Sequence, residues 1–288
     1  MSQLVPNQKH AVPFLRWAGG KRKLMSEILA SLPDDFGHQG MKFFEPFIGG
    51  GALMFELGKF NSKYFVEGKN LHIGDSNPDL IATYKVIRDN PKELIAKLRK
   101  LENRISLEDY LNMRALQPEK PIDVAARFIY LNKTCFNGLW RVNSSGQFNV
   151  PYGKLKNPKV LDKENLILCS KRLANSKIKS GDFEAIVKSA EKGDFVYFDP
   201  PYLPLSESAS FSKYAKEDFS TLDHERLANT IAQLTKRGVK VMLSNSDTKL
   251  TRAIFKNDLR LRKVSVARTI AANSRNRTAV DEIIGTNY

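Results

Sequence analysis

The chain has 288 residues, 42% of them hydrophobic and 27% charged, a composition typical of one large or two small globular domains and unlike a disordered tail or a fibre. Its two cysteines provide neither a disulfide framework nor a zinc site, and no run of about 18 apolar residues predicts a membrane span, so we expect a cytoplasmic protein without membrane association. The unusual property is the net charge of +15, from 46 Lys and Arg against 31 Asp and Glu, which by itself favours a polyanionic partner or an anionic membrane surface.

The N-terminal part of the chain is predicted to contain a strand, a turn, a helix and a second strand. In chain order these are the apolar strand 41–44, the glycines 49–51, the helix 52–59 and the strand 71–73, which ends at Gly74 and Asp75. Strands that alternate with helices favour a parallel sheet.

Residues 85–180 follow a different pattern, in which helices occur without intervening strands. The predicted elements are the helix 91–103, a short helix after a capping box at Ser106, the helix 121–134, and a β-hairpin of 139–142 and 147–150 around the turn 143–146. This third of the chain holds 20 Lys and Arg against 9 Asp and Glu, which is +11 of the total +15. Further basic runs lie at 16–23 and 260–280. Each run alone is compatible with a solvated face, whereas three runs on one surface would favour nucleic-acid binding.

The C-terminal part returns to alternating strands and helices. The predicted elements are the buried strand 194–198, a helix after a capping box at Ser220, and the strand 239–243. We therefore predict that residues 1–84 and 181–288 form one Rossmann-like, doubly wound α/β domain with a parallel sheet. Residues 85–180 are predicted to be a mostly helical insertion that carries the hairpin.

The glycines 49–51 follow a strand and open a helix, a place where the backbone can approach a ligand closely. Asp75 ends the next strand, where an acidic residue in dinucleotide-binding folds accepts hydrogen bonds from ribose hydroxyls. Together they favour an adenosine-bearing ligand over a plain glycine-rich turn. A phosphate-binding loop is disfavoured, because no Gly-Lys-Ser or Gly-Lys-Thr follows the glycines.

The segment Asp199-Pro-Pro-Tyr202 stops a buried strand. Each proline fixes one backbone angle and removes one donor, so the pair holds the Asp199 carboxylate and the neighbouring carbonyls rigidly at the sheet edge where ligands bind. The alternative is a turn with a buried tyrosine. The glycine turn and Asp75 favour the functional interpretation.

Several motifs occur together in a characteristic order. They are Pro13-Phe-Leu-Arg-Trp-Ala-Gly-Gly-Lys-Arg, Phe44-Glu-Pro-Phe-Ile-Gly-Gly-Gly, Gly74-Asp-Ser-Asn, Phe136-Asn-Gly-Leu-Trp-Arg-Val-Asn, Phe148-Asn-Val-Pro-Tyr-Gly, Gly181-Asp-Phe, Asp199-Pro-Pro-Tyr and Leu243-Ser-Asn-Ser-Asp-Thr. In this order and spacing the chain, from about Phe14 to Tyr288, resembles the Dam/DpnM-type DNA adenine-N6 methyltransferases of the α group.

The resemblance implies S-adenosylmethionine as the methyl donor and no metal. By position its pocket would be lined by Trp17, Lys21, Phe47, Gly49, Gly51, Asp75, Asp182 and Asp199. Asp75 would bind the ribose, and Asp182 would lie near the adenine ring. Without the resemblance, Trp17 could equally be a core aromatic residue and Lys21 a surface charge.

The resemblance also implies methyl transfer to N6 of an adenine flipped out of duplex DNA, with GATC as the expected site. Asp199 and the Pro200 carbonyl would accept the two N–H groups of the amine, and Tyr202 would stack on the base. The implied DNA contacts are Arg16, Phe136, Asn137, Leu139, Arg141, Asn143 and Pro151. Arg141 is the candidate for a guanine contact, with a phosphate contact as its alternative. Double-stranded DNA is then the partner, in the nucleoid, and no obligate protein partner is predicted.

Two other functions stay open. The same pocket type also methylates planar amides of glutamine and bases of RNA, although those relatives lack a basic insertion of this kind. A DNA-binding module that has lost turnover is the second. Cytosine-C5 methylation is disfavoured, because neither Cys135 nor Cys169 follows a proline at a strand end.

Overall fold

The computed structural model describes residues 9–17, 19, 21, 23–59, 68–203, 219–266 and 280–288. Four charges of the basic runs, Arg22, Arg268, Arg275 and Arg277, lie outside these ranges. None of the helices within the described ranges is both long enough and apolar enough to cross a membrane.

Helices and strands occur in the following order along the described residues. The helices are α1 (Met25–Ala30), α2 (Ala52–Leu57), α3 (Pro78–Asp89), α4 (Pro91–Arg99), α5 (Leu107–Ala115), α6 (Pro121–Thr134), α7 (Lys163–Leu173), α8 (Phe183–Val187), α9 (Thr221–Lys236) and α10 (Lys249–Phe255), and a 3₁₀ turn spans Phe136–Gly138. The strands are β1 (Phe43–Glu45), β2 (Leu71–Asp75), β3 (Lys177–Ser180), β4 (Phe195–Phe198), β5 (Lys240–Ser246), β6 (Arg260–Val266) and β7 (Val280–Thr286). The chain therefore has a mixed α/β fold.

Contacts within the chain define two compact units. The first comprises Met1–Gly20 and Ile48–Gly181, and the second comprises Lys21–Phe47 and Asp182–Tyr288. Helix α3 crosses the predicted boundary at residue 84 and packs on α6 and α7, which places residues 48–84 with the helices that follow. The division into a catalytic domain, 1–84 with 181–288, and a recognition domain, 85–180, is a division by function and stays a prediction.

The first unit combines a parallel pair of strands, β2 and β3, with helices α2 to α7. Helix α3 begins where the Asn77 side chain accepts a hydrogen bond from the Leu80 amide and Pro78 occupies the first turn. The predicted capping box at Ser106 and the predicted bounds of α6 are confirmed. Nine of the fourteen residues of α6 are buried, so this helix is the core of the unit.

The predicted β-hairpin is not confirmed as a pair of strands. Residues 139–150 contain one antiparallel bridge, between Val142 and Phe148. The turn is closed by the Asn143 amide, which donates to the Gln147 carbonyl, and by Asn143 Oδ1, which accepts from the amides of Ser145 and Gln147. Arg141 Nε also donates to Asn149 Oδ1, and the Asn149 amide donates to the Arg141 carbonyl, so side-chain and backbone hydrogen bonds together join the two arms of this segment.

The second unit contains five strands in the order β1-β4-β5-β7-β6. Strands β1, β4 and β5 are parallel, as predicted, and the capping box at Ser220 opens α9. Leu227, Ile231 and Leu234 of α9 belong to the apolar cluster that also contains residues of β4 and β5. The burial of this helix face holds the ends of the parallel strands in place.

The predicted parallel arrangement does not extend to the C-terminal strands, whose pairing the sequence does not separately predict. β7 pairs antiparallel with β5 and with β6. Antiparallel pairing needs no helical crossover between neighbouring strands, unlike the parallel pairing of β1, β4 and β5. Within the basic run, Arg262 pairs with Glu27 and Lys263 with Asp281.

Candidate active site

The Asp199 carboxylate lies directly after β4, whose four residues are all buried. Its Oδ1 atom is 2.8 Å from Lys21 Nζ and accepts a hydrogen bond of 2.9 Å from Ser244 Oγ. The Lys21 side chain is 6% exposed and that of Asp199 is 21% exposed. The ammonium group is therefore enclosed, and the Asp199 side chain is only partly exposed.

Burial raises the pKa of Asp199 above its usual value, and Lys21 and Ser244 oppose this rise because both favour the carboxylate. The Tyr197 hydroxyl is 2.9 Å from Ser244 Oγ. Ser244 has one hydroxyl proton and gives it to Asp199, so Tyr197 is the donor in the second contact. The pKa of Tyr197 is well above its usual value, mainly because of burial, which keeps this donor protonated.

The Tyr202 ring lies beside this carboxylate. Lys21 Nζ is 4.5 Å from the ring centroid, a cation–π distance. The Tyr202 hydroxyl donates a hydrogen bond of 2.7 Å to Glu282 Oε2 on β7. Burial and the nearby carboxylates, Asp199 first among them, raise the pKa of Tyr202, so its hydroxyl stays a donor.

The glycine turn and Asp75 contact each other in the first unit. Gly49 has a φ of 43°, and a Cβ atom there would lie 2.6 Å from the Trp17 ring, so only glycine fits. The Gly49 amide donates to Asp75 Oδ2 and the Asn77 amide to Asp75 Oδ1, each at 3.0 Å. Burial raises the pKa of Asp75, and these amides oppose the rise. Each oxygen keeps a lone pair for a hydroxyl, as an adenosine-bearing ligand requires.

The remaining predicted cofactor residues lie in the second unit or at the start of α2. Phe47 stacks on Phe183 with ring centroids 5.4 Å apart, next in sequence to Asp182. Asp182 accepts from the Glu184 amide at 2.9 Å and from Arg226 at 3.0 Å. Gly51 opens α2 with a φ of 70°.

The buried Asn132 side chain connects Arg16 with Gly138, which lies in the chain segment that holds three more of the predicted DNA-contact residues, Phe136, Asn137 and Leu139. Its Oδ1 accepts from the Arg16 amide at 2.9 Å, and its Nδ2 donates to the carbonyls of Arg16 and Gly138. Pro151 is a fifth predicted contact, and its carbonyl accepts from the Phe136 amide at 2.9 Å.

The chain bends sharply here, because Asn137 and Gly138 have φ values of 54° and 65°. A Cβ atom at Gly138 would lie 2.4 Å from that of Arg16. Phe136 is 49% exposed and Leu139 is 39% exposed, so two apolar side chains face solvent beside the Arg16 backbone.

The other two predicted DNA contacts are engaged within the turn described above. Arg141 donates to the Asn149 side chain at 2.8 Å and to its carbonyl at 3.3 Å. Asn143 uses its side chain to close the turn. The sequence predicted a turn over 143–146, and Asn143 at its first position is typical of such turns.

Sequence reasoning assigned no role to Asn132, Tyr197, Ser244 or Glu282. One signal was present, since Ser244-Asn-Ser246 places polar residues inside a buried strand, where each must find a partner. Glu282 lies between Asp281 and Ile283 of β7, and its position in the sequence did not indicate a partner. The sequence around Asn132 and Tyr197 did not indicate a role for either residue, because their partners Arg16 and Ser244 are distant in sequence.

The family model for D12 class N6 adenine-specific DNA methyltransferases matches residues 17–270. The chain belongs to this family. It is 45% identical over 296 residues to the type II methyltransferase M1.LlaDCHI of Lactococcus lactis subsp. cremoris, covering 100% of this chain and 99% of that protein.

Two further relatives extend the comparison. The type II methyltransferase M.MjaIII of Methanocaldococcus jannaschii is 45% identical over 81% of this chain and 84% of its own. A DNA adenine methylase of Haemophilus influenzae is 31% identical over 98% of this chain and 95% of its own. This adenine methyltransferase is thus related to such proteins along almost its whole length.

Proposed function

We propose that this methyltransferase transfers a methyl group from S-adenosylmethionine to N6 of an adenine flipped out of duplex DNA, with GATC as the site. The observation that carries the proposal is the Asp199 carboxylate, held at the end of β4 by Lys21 and Ser244 and followed by Pro200 and Tyr202. Double-stranded DNA is the substrate, and the protein acts in the nucleoid of the cytoplasm.

The methyl donor supplies a methyl group on a positively charged sulfur. We assign the ribose hydroxyls to Asp75, whose two oxygens are oriented by backbone amides. The remaining contacts are assigned to Trp17, Lys21, Phe47, Gly49, Gly51, Asp182 and Asp199. Gly49 fits this role because a side chain there is sterically excluded.

The target amine is a poor nucleophile, since its lone pair is delocalised into the adenine ring. Lys21 and Ser244 both contact Oδ1 of Asp199, so we assign Oδ2 to the first N–H group of the amine. The Pro200 carbonyl accepts the second. Two acceptors pull the nitrogen towards tetrahedral geometry and stabilise the positive charge that develops on it during attack. Tyr202 stacks on the base, and this stacking contact contributes about 1–3 kcal/mol of binding free energy.

An adenine within a duplex cannot reach a buried carboxylate, so the base must leave the helix at a cost of a few kcal/mol. We assign Phe136 and Asn137 to the space that the base vacates, because both lie at the exposed bend beside Asn132. Arg16, Leu139 and Pro151 contact the duplex around it, and Arg141 and Asn143 act from the adjoining turn. The recognition function is thus assigned to residues 85–180.

We expect the activity to have an acid limb set by Asp199, because its carboxylate form accepts the amine protons. Burial raises the pKa of Asp199, so activity is lost at a higher pH than for an ordinary aspartate as the pH falls through that pKa. Ser244→Ala removes a hydrogen bond that favours the carboxylate, and should move the acid limb of kcat to still higher pH. An unchanged limb in a folded variant would contradict the assignment.

Arg141→Ala should relax sequence selection more than it weakens binding. One bidentate contact to guanine is worth about 1–3 kcal/mol of discrimination, so methylation of duplexes altered at that position should rise roughly five- to a hundredfold relative to the cognate site. Arg141→Lys keeps the charge and loses the paired donors, and should behave like the alanine variant. Lys156→Ala removes an exposed charge from the same segment and should weaken the binding of all duplexes equally.

The proposed function is tested with S-adenosylmethionine labelled in its methyl group. Labelled N6-methyladenine in a GATC duplex, and none in duplexes without GATC, is the expected result. Equal labelling of both duplexes would reject the site, and labelling of RNA or protein alone would reject the substrate. No transfer to any of them would favour a binding module without turnover.

A further inference from the structure

The segment from Asp199 to Leu203 is held by three polar side chains of one sheet face. Ser244 Oγ donates to Asp199, and Ser246 Oγ donates to the Leu203 carbonyl at 2.8 Å. Glu282 accepts from the Tyr202 hydroxyl. Ser244 and Ser246 are two residues apart on β5, and Ser246 is directly opposite Glu282 on β7, so the three side chains share a face.

We infer that Glu282 is a positioning residue, which fixes the Tyr202 ring for stacking on the flipped adenine; this inference rests on the proposed function. The residues from Asp199 to Leu203 have neither helix nor strand backbone, so side-chain contacts set the direction of the ring. The hydroxyl oxygen is the side-chain atom farthest from the backbone. A hydrogen bond at that point, of 2.7 Å to a carboxylate, limits the swing of the ring about the Cα–Cβ bond more than any contact near Cβ does.

Lys21 contributes to the same arrangement. Its ammonium group covers one face of the Tyr202 ring at 4.5 Å, while the hydroxyl end is held by Glu282. We assign the opposite face to the base. The Glu282 carboxylate thus acts through Tyr202 and makes no contact with the substrate itself.

The test is a double-mutant cycle on kcat with Tyr202→Phe, Glu282→Ala and the double variant. Tyr202→Phe keeps the ring and removes only the hydroxyl, so each single change should lower kcat about tenfold by loss of one hydrogen bond to a charged group. The double variant should be no worse than either single one, because both remove the same contact. Glu282→Gln keeps an acceptor and should restore most of kcat.

Asp281→Asn is the matched control. Asp281 is the neighbouring carboxylate of β7, on the other face, where it pairs with Lys263 and accepts from Ser265. This substitution removes a carboxylate from the same strand without touching Tyr202. It should leave kcat and the double-mutant cycle unchanged.

A spectroscopic measurement separates positioning from a merely structural role. In a duplex with 2-aminopurine in place of the methylated adenine, stacking on Tyr202 quenches the emission in the wild-type complex. Tyr202→Phe and Glu282→Ala should both increase the emission, and Glu282→Gln should return it towards the wild-type value. If Glu282→Ala does not fold, the emission of the Tyr202→Phe and Glu282→Gln complexes still tests the inference.

Several outcomes would overturn the inference. The first is a double variant whose loss of kcat equals the sum of the two single losses in free energy. The second is a Tyr202→Phe variant with the kcat of the wild type. The third is 2-aminopurine emission that is the same in Tyr202→Phe and Glu282→Ala as in the wild type. Failure of the wild-type protein to methylate adenine would reject the proposed function instead. An active wild-type enzyme with a purely additive cycle would reject the role of Glu282 alone.

Discussion

Asp199→Ala should lower kcat by about a thousandfold or more while duplex binding survives. The carboxylate is the charged acceptor for the amine, and removal of one preorganised group that stabilises transition-state charge costs about 10²–10³ in rate. Loss of orientation of the amine adds to this. Single-turnover methylation and binding of a fluorescent duplex, measured on the same preparation, test the two halves of the expectation.

The same substitution should also lower stability, which supplies an internal check. Asp199 is the partner of the buried Lys21 ammonium group, and removal of one member of a buried pair costs about 3–5 kcal/mol. Asp199→Asn keeps the shape and an uncharged acceptor, so it should fold better and still lose most of kcat. Turnover close to wild type in either variant would refute the role of Asp199.

Duplex affinity should fall steeply with salt, by roughly 10³-fold between 50 and 200 mM if about six phosphates are neutralised. The reason is the +11 charge of residues 85–180. This net value already includes the ion pairs of Lys97 with Asp123 and of Lys159 with Asp162, so the excess is carried by the other basic residues. Fluorescence anisotropy of a duplex over a salt series measures the slope.

Substitution of exposed lysines identifies the part of the surface that produces this salt dependence. Replacement of Lys154 and Lys156, both exposed and next to the turn of Arg141, should reduce the slope of log affinity against log salt by about two. Lys236→Ala, an exposed change in the last turn of α9, is the control and should leave it unchanged. A flat response in the wild-type protein would remove the electrostatic basis for DNA binding.

Several helices and the strand before Asp199 could be predicted from short-range sequence patterns alone. The capping boxes at Ser106 and Ser220 and the bounds of α6 depend on residues within one or two turns of each other. The place of Asp199 after a buried strand likewise follows from an apolar run stopped by two prolines. Such features need no information about the rest of the chain, so the sequence alone was sufficient.

The tertiary structure alone decided which residues share a site. The antiparallel addition of β7 places Glu282 opposite Ser246, and therefore beside Tyr202, eighty residues away in sequence. Partners at that separation depend on strand order and register, which arise from the packing of the whole unit.

Lys21 is a second residue whose role depended on the tertiary structure. The sequence predicted that Asp199 would be a held carboxylate and left Lys21 open between a surface charge and a cofactor contact. Burial of its ammonium group against Asp199 requires the folded second unit, because a charge is removed from water only where another part of the chain supplies the opposite charge. Composition and motif order thus determined the family and the chemistry, while packing decided which side chains orient the carboxylate.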